Sequence, residues 1–261
     1  MTFDVLMTAT QTGYPKTELI VVVPTYNEAD NVEKIARAVL KQPMQADLLI
    51  VDDNSPDGTG DLADALAQSP EAGGRVHVLH RPGKEGLGRA YLAGFAWALE
   101  RGYQSVVEMD ADLSHDPAYL QSLAEAGLES DVVIGSRYLN GISVINWPLR
   151  RILLSLGANW YVRTVTRVSV NDCTSGYRLY QRRVLEAIDL SSVQSNGYSF
   201  QVEMTFRAQI AGFRISEVPI IFTERRAGQS KLSKGVVWES IVMPLRLRWR
   251  ERALKQAMGR K

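Results

Sequence analysis

Five short apolar runs rich in β-branched residues recur along the chain and restrict its fold more than any other feature. They begin at Leu19 (Leu-Ile-Val-Val-Val), Leu48 (Leu-Leu-Ile-Val), Val76 (Val-His-Val-Leu), Ser105 and Asp131 (Asp-Val-Val-Ile), at intervals of 26 to 29 residues. Runs of this length and composition read as buried strands. Helical signals fill the gaps at residues 31–40, 58–67, 87–100 and 117–126, and Asp116 before Pro117 pairs a capping residue with proline at the first helical position. Strands alternating with helices at that interval predict an α/β fold, a mostly parallel twisted sheet flanked by helices. Residues 1–16 are mixed and polar and read as a tail. Residues 17–235 then form the folded domain, and 236–261 a basic amphipathic tail.

In open α/β sheets, ligands bind beyond the carboxyl ends of the strands. Here those ends are acidic and polar: Pro24-Thr25-Tyr26-Asn27-Glu28 after the first run, Asp52-Asp53-Asn54-Ser55-Pro56-Asp57-Gly58-Thr59 after the second, and Met109-Asp110-Ala111-Asp112-Leu113-Ser114-His115 after the fourth. Read as a continuation of the strand, Asp110 and Asp112 point to one side, because side chains alternate with period two. Two carboxylates that close repel unless a cation or proton lies between them. Their oxygens suit a hard divalent ion, Mg²⁺ or Mn²⁺, which shares substrate phosphates. The sequence argues against a nicotinamide dehydrogenase, since the first turn lacks glycine and the glycine-rich loop Gly83-Lys84-Glu85-Gly86-Leu87-Gly88 follows the third strand.

Those strand-end motifs resemble family 2 glycosyltransferases, and more closely the dolichol- or polyprenol-phosphate mannose synthases of actinobacterial type. The resemblance continues through Gly86-Leu87-Gly88, Gly135-Ser136-Arg137-Tyr138, Asp172-Cys173-Thr174-Ser175-Gly176-Tyr177-Arg178, Gly197-Tyr198-Ser199-Phe200-Gln201 and the 222–232 segment, covering roughly residues 18–235. It implies a GT-A-type nucleotide-sugar-binding fold and metal-dependent, inverting transfer of mannose from GDP-mannose to a polyprenyl phosphate. It further implies donor binding by Pro24, Tyr26, Glu28, Val51, Asp53, Asp110, Ala111, Asp112, Arg137, Arg225 and Lys231. Asp112, Arg225 and Lys231 take catalytic roles in this reading. Asp110 and Asp112 hold the metal; many relatives carry Gln where this chain has Ser114, a weaker ligand. The 225–231 loop, rich in small residues, is expected to close over the bound donor. His115 is a further site candidate, while His77 and His80 read as structural.

Two alternatives stay open: glucosyl transfer from UDP-glucose to the same kind of lipid, and a non-catalytic nucleotide-sugar-binding module. A polyprenyl phosphate acceptor implies a membrane surface. Between Asp131 and Asp172 there is no acidic residue, and Arg137, Arg150, Arg151, Arg163 and Arg167 interleave with Trp147, Leu149, Ile152, Leu153, Leu154, Leu156, Trp160 and Tyr161. Residues 228–261 hold nine Lys/Arg against two Glu, a net of +7. Basic residues among Trp and Leu predict amphipathic helices lying on a bilayer, with Pro244 kinking or splitting the second. The acidic rim argues against nucleic acid. A single cysteine, no signal-peptide pattern and no run of roughly 20 apolar residues point to a cytoplasmic protein, peripheral at the cytosolic face of the membrane, with room for a membrane-anchored partner protein.

Overall fold

The computed structural model describes residues 18–223, 234–257 and 259. Its first strands are β1 (Leu19–Thr25), β2 (Asp47–Asp52), β3 (Val76–His80), β4 (Ser105–Glu108) and β5 (Val132–Ser136). Between them run α1 (Ala29–Leu40), α2 (Thr59–Gln68), α3 (Leu87–Glu100) and α4 (Leu120–Gly127). The remaining elements are β6 (Val144–Ile145), α5 (Leu149–Thr166), β7 (Arg178–Gln181), α6 (Arg182–Ala187), α7 (Gly197–Ile210), β8 (Ile215–Pro219), β9 (Phe222–Thr223), α8 (Lys234–Trp249) and α9 (Glu251–Ala257). The five expected strands and four expected helices are all present. The segment after Asp116 opens with one 3-10 turn, Pro117–Tyr119, before α4.

Seven strands pair in the order β3-β2-β1-β4-β7-β5-β8, and a two-stranded sheet joins β6 to β9. All pairings are parallel except those of β7, which is antiparallel to both β4 and β5. Period-two alternation divides β1 between two cores. Ile20 and Val22 face α3 and α7 in one cluster, while Leu19, Val21 and Val23 face α1, α2 and α4 in the other. With both faces covered, the strands read as continuous apolar runs. Gly94 lets α3 lie close on β1: a Cβ there would sit 2.4 Å from a Val22 methyl.

The later helices depart from expectation. α5 does not turn its apolar residues inward: its buried residues are Asn159, Val162 and Thr166, whereas Leu149, Leu153, Leu154 and Trp160 are exposed. α8 runs through Pro244 without splitting, and the break falls at Arg250. Leu247 and Leu254 bury into the α3/α7 core. Trp238, Ile241, Leu245 and Trp249 form an exposed apolar stripe on α8, beside α5, where Tyr161 Oη donates to the Ile241 carbonyl (2.7 Å). Among the described residues, no helix is long and apolar enough to cross a membrane.

Strand β7 begins with a fully buried cation. Arg178 Nε donates to the Ser175 carbonyl (2.7 Å), Nη1 to the Gln201 carbonyl (2.8 Å) and Thr205 Oγ1 (2.5 Å), and Nη2 to the Cys173 carbonyl (2.9 Å). Removing the guanidinium takes the side-chain donor from the buried Cys173 and Ser175 carbonyls, a desolvation cost at each, while the Gln201 carbonyl keeps the Thr205 hydroxyl (2.8 Å). Arg178→Met keeps the bulk and loses those bonds, so urea unfolding should show a loss of roughly 3–5 kcal/mol. Stability within about 1 kcal/mol of the parent would mean that the core tolerates the orphaned carbonyls.

Candidate active site

Strand register brings the motifs to one edge. Thr25 aligns with Asp52 and Val22 with Glu108, so the turns after β1, β2 and β4 leave the same side of the sheet. β5 and β8 run parallel to these strands, which puts Arg137 and Phe222 beyond the same edge. Because β7 runs the other way, its amino end, the 172–177 turn, also lies there.

Acid-centred hydrogen bonds fix the first two turns. Asp52 accepts from Thr25 Oγ1 (2.9 Å), Ser55 Oγ (2.6 Å) and Ser55 N (3.0 Å), tying β1 to the second turn. Glu28 Oε2 accepts from Asn31 Nδ2 (2.8 Å). Asp53, 5 % exposed, pairs with Arg81 at 2.5 Å, and Arg81 reaches Glu85 at 2.6 Å. Burial pushes the Asp53 carboxyl above its ordinary value, against the pull of Arg81. Lys84 Nζ lies 4.0 Å from the centre of the Tyr26 ring. Pro24 is half-buried beside these turns, in β1. The side chains of Val51 and Ala111 are buried in the two cores, so ligand contact at either runs through backbone.

The acidic motif is not a strand continuation. β4 ends at Glu108, and residues 110–115 turn, with Leu113 left-handed at φ 61°. That turn, not strand alternation, orients the carboxylates: Asp112 Oδ1 accepts from Ser114 N (3.0 Å) and Asp110 Oδ1 from the buried Tyr91 hydroxyl (3.2 Å). Asp110 and Asp112 keep partial solvent access, whereas Ser114 is 3 % exposed. His115 is buried, and burial pushes its imidazole below 6.5 against the nearby Asp110 and Asp112. Among the described residues, no group of three or more His, Cys, Asp and Glu could hold a metal ion. Two oriented, partly exposed carboxylates fit the other kind of site, where a hard cation takes one or two carboxylates plus substrate phosphates.

Arg137 is 5 % exposed and makes a bidentate pair with Asp172: Nε to Oδ2 and Nη2 to Oδ1, both 2.6 Å, with its backbone N–H on Oδ2 at 3.0 Å. Burial raises the Asp172 carboxyl, but Arg137 outweighs it and holds the group below its ordinary value. Tyr138, Trp147 and Phe222 surround the guanidinium at 5.4–5.5 Å. Arg225 and Lys231 lie outside the described residues, as do the expected closing loop and the expected tail over residues 1–16. His77, on Trp97, and His80, beside Asp64, sit in β3 away from the carboxylate turn. Sequence reasoning assigned no role to Arg81, Tyr91 or Asp172. Arg81 directly follows β3, the one strand-end position that would have drawn notice.

The glycosyl transferase family 2 model matches residues 20–189. Polyprenol monophosphomannose synthase of Mycolicibacterium smegmatis is 51% identical over 228 residues, covering 87% of this chain and 85% of the relative. Undecaprenyl-phosphate mannosyltransferase of Micrococcus luteus is 48% identical over 86% of this chain and 91% of its own. Glucosyl-3-phosphoglycerate synthase from Mycobacterium tuberculosis, in complex with Mn²⁺, UDP and glucosyl-3-phosphoglycerate, superposes with a TM-score of 0.61 at 17% identity, over 94% of this chain and 81% of that one. That likeness bears out the GT-A-type fold.

One buried acid lies directly behind the carboxylate turn. Glu108 is 0 % exposed, beside the Gln201 amide and Arg178, and burial pushes its carboxyl up to about 8. The folded protein therefore keeps this proton while the unfolded chain releases it above 4.5. A raised acid costs stability as pH rises: the contribution is whole below 4.5 and is lost progressively up to about 8. Glu108→Gln cannot ionise, so in metal-free buffer its stability should gain on the parent across that window. Parallel stability–pH curves for the two proteins would place Glu108 in an ionised state instead.

Proposed function

The chain belongs to glycosyltransferase family 2, and from that premise we propose that it transfers mannose from GDP-mannose to a polyprenyl phosphate. The observation that carries this reading is the 51% identity, along 87% of the chain, to a polyprenol monophosphomannose synthase. The reaction is a single displacement. A phosphate oxygen of the acceptor forms the new bond to the anomeric carbon, the bond from that carbon to the diphosphate breaks, and GDP leaves with the electron pair. Because the acceptor oxygen is already anionic, no proton moves and no general base is needed. This accords with a site rich in carboxylates and arginines that uses its buried histidine as a hydrogen-bond acceptor.

Each rim segment has a role in this reading. Asp53 and Arg81 together offer an acceptor and a donor to a base edge, and Glu28 an acceptor to ribose hydroxyls. Asp110 and Asp112 would hold Mg²⁺ or Mn²⁺, which neutralises charge on the departing diphosphate. Arg137, oriented by Asp172, presents a fixed cation for phosphate; Arg225 and Lys231 keep the phosphate roles that the family resemblance implies. The exposed apolar residues of α5 and α8, with exposed Arg150, Arg163, Arg246 and Arg250 near them, would rest on the cytosolic face of a membrane where the acceptor resides.

Purified protein given radiolabelled GDP-mannose, a polyprenyl phosphate and Mn²⁺ should form a chloroform-soluble mannolipid. UDP-glucose in its place should form none, and a chelator should stop the reaction. Asp112→Ala should lower turnover by roughly 10²-fold or more with the fold intact, since it removes charge stabilisation of the leaving group. Transfer from UDP-glucose alone would overturn the mannose reading. Absence of transfer from either donor would point to a binding module.

A further inference from the structure

We infer that His115 is a positioning residue: its Nδ1 holds the backbone N–H of Asp110 and so sets the turn on which both carboxylates sit. This rests on the reading of Asp110 and Asp112 as the cation-holding pair. The Asp110 N–H donates to His115 Nδ1 at 3.2 Å, a bond that closes the 110–115 turn on itself. The ring is 2 % exposed and cannot turn away. It stacks on Tyr177 at 5.1 Å and meets the edge of Phe222 at 5.4 Å. The 172–178 turn closes a third side, since a Cβ built on Gly176 would lie 3.6 Å from His115 Cε1 and 3.7 Å from Asp110 Oδ1.

This arrangement constrains Asp110 at two ends. Tyr91 Oη holds the carboxylate and His115 holds the main chain. Between them the side chain has little freedom left to lose when a cation arrives. Accepting from an amide requires Nδ1 to carry no proton, which fixes the neutral tautomer with hydrogen on Nε2. His115 touches no reacting atom in this account. It acts through Asp110, as outer partners of metal ligands do, and their loss typically costs 10–100-fold in metal affinity.

Asparagine and glutamine separate this role from mere packing. Asn carries its oxygen one bond from Cγ, where imidazole carries Nδ1, whereas Gln carries it one bond further, near Nε2. Mn²⁺ binding to full-length protein is measured in the presence of GDP, by the loss of the free-ion resonance signal, for the parent, His115→Asn, His115→Gln, His115→Leu and Asp112→Ala. Melting curves are recorded for each. His115→Asn should bind Mn²⁺ within about threefold of the parent, while His115→Gln and His115→Leu should lose roughly tenfold or more at similar melting temperature. Gln or Leu matching the parent, or Asn falling with Leu, would overturn the role of Nδ1. Failure of the underlying reading is visible separately, because Asp112→Ala would then bind Mn²⁺ as the parent does; that result removes the His115 proposal with it.

Discussion

A guanidinium without solvent holds the working edge of this protein in shape. Arg178 satisfies its donors on the carbonyls of Cys173, Ser175 and Gln201 and on the Thr205 hydroxyl, which knots the 172–178 turn to helix α7. Arg137, His115 and Asp110 all lean on that turn. Asp172 orients Arg137, Tyr177 supports the ring of His115, and Gly176 leaves space beside Asp110. A buried cation is tolerated only when its hydrogen bonds are complete, and here they demand one conformation of the turn. The antiparallel insertion of β7 brings the amino end of that strand to the edge where the parallel strands end.

Electrostatics along the rim alternate in a way that suits an anionic ligand. The carboxylates of Asp110 and Asp112 keep partial exposure, which favours a hydrated divalent ion over a closed, all-protein cage. On either side stand arginines already paired with acids, Arg81 with Asp53 and Arg137 with Asp172. Such pairs lose little freedom when a nucleotide or phosphate arrives, because their geometry is set beforehand. The hydrogen bond from Tyr91 to Asp110 extends the same principle from the aromatic stack of Tyr91 and Phe200 to the carboxylate turn.

Much of the fold was legible because parallel strands buried on both faces cannot hide: their apolar runs and regular spacing admit few other readings. β7 was not legible. It is four residues long and opens with arginine, and nothing local says that a charge at that position is buried. The turn at Asp110–His115 was misread as extended because Leu113 adopts a left-handed conformation that its residue type does not advertise. α8 passes through Pro244 where local propensity calls for a break; packing of Leu247 into the core continues the helix. The acidic members of the site stood out as strand-end motifs. The pairings of Arg81, Tyr91 and Asp172 did not, because their partners lie 28, 19 and 35 residues away and meet them only through the sheet.

The proposed reaction requires the carboxylate turn after β4 to hold the cation that meets the diphosphate. Diffraction at the manganese absorption edge, from crystals grown with GDP and Mn²⁺, tests it without reference to activity. The expected result is one anomalous peak about 2.0–2.2 Å from an oxygen of Asp110 or Asp112 and from a diphosphate oxygen. Bound GDP with no peak at that pair, or a peak ligated by other side chains, would contradict it.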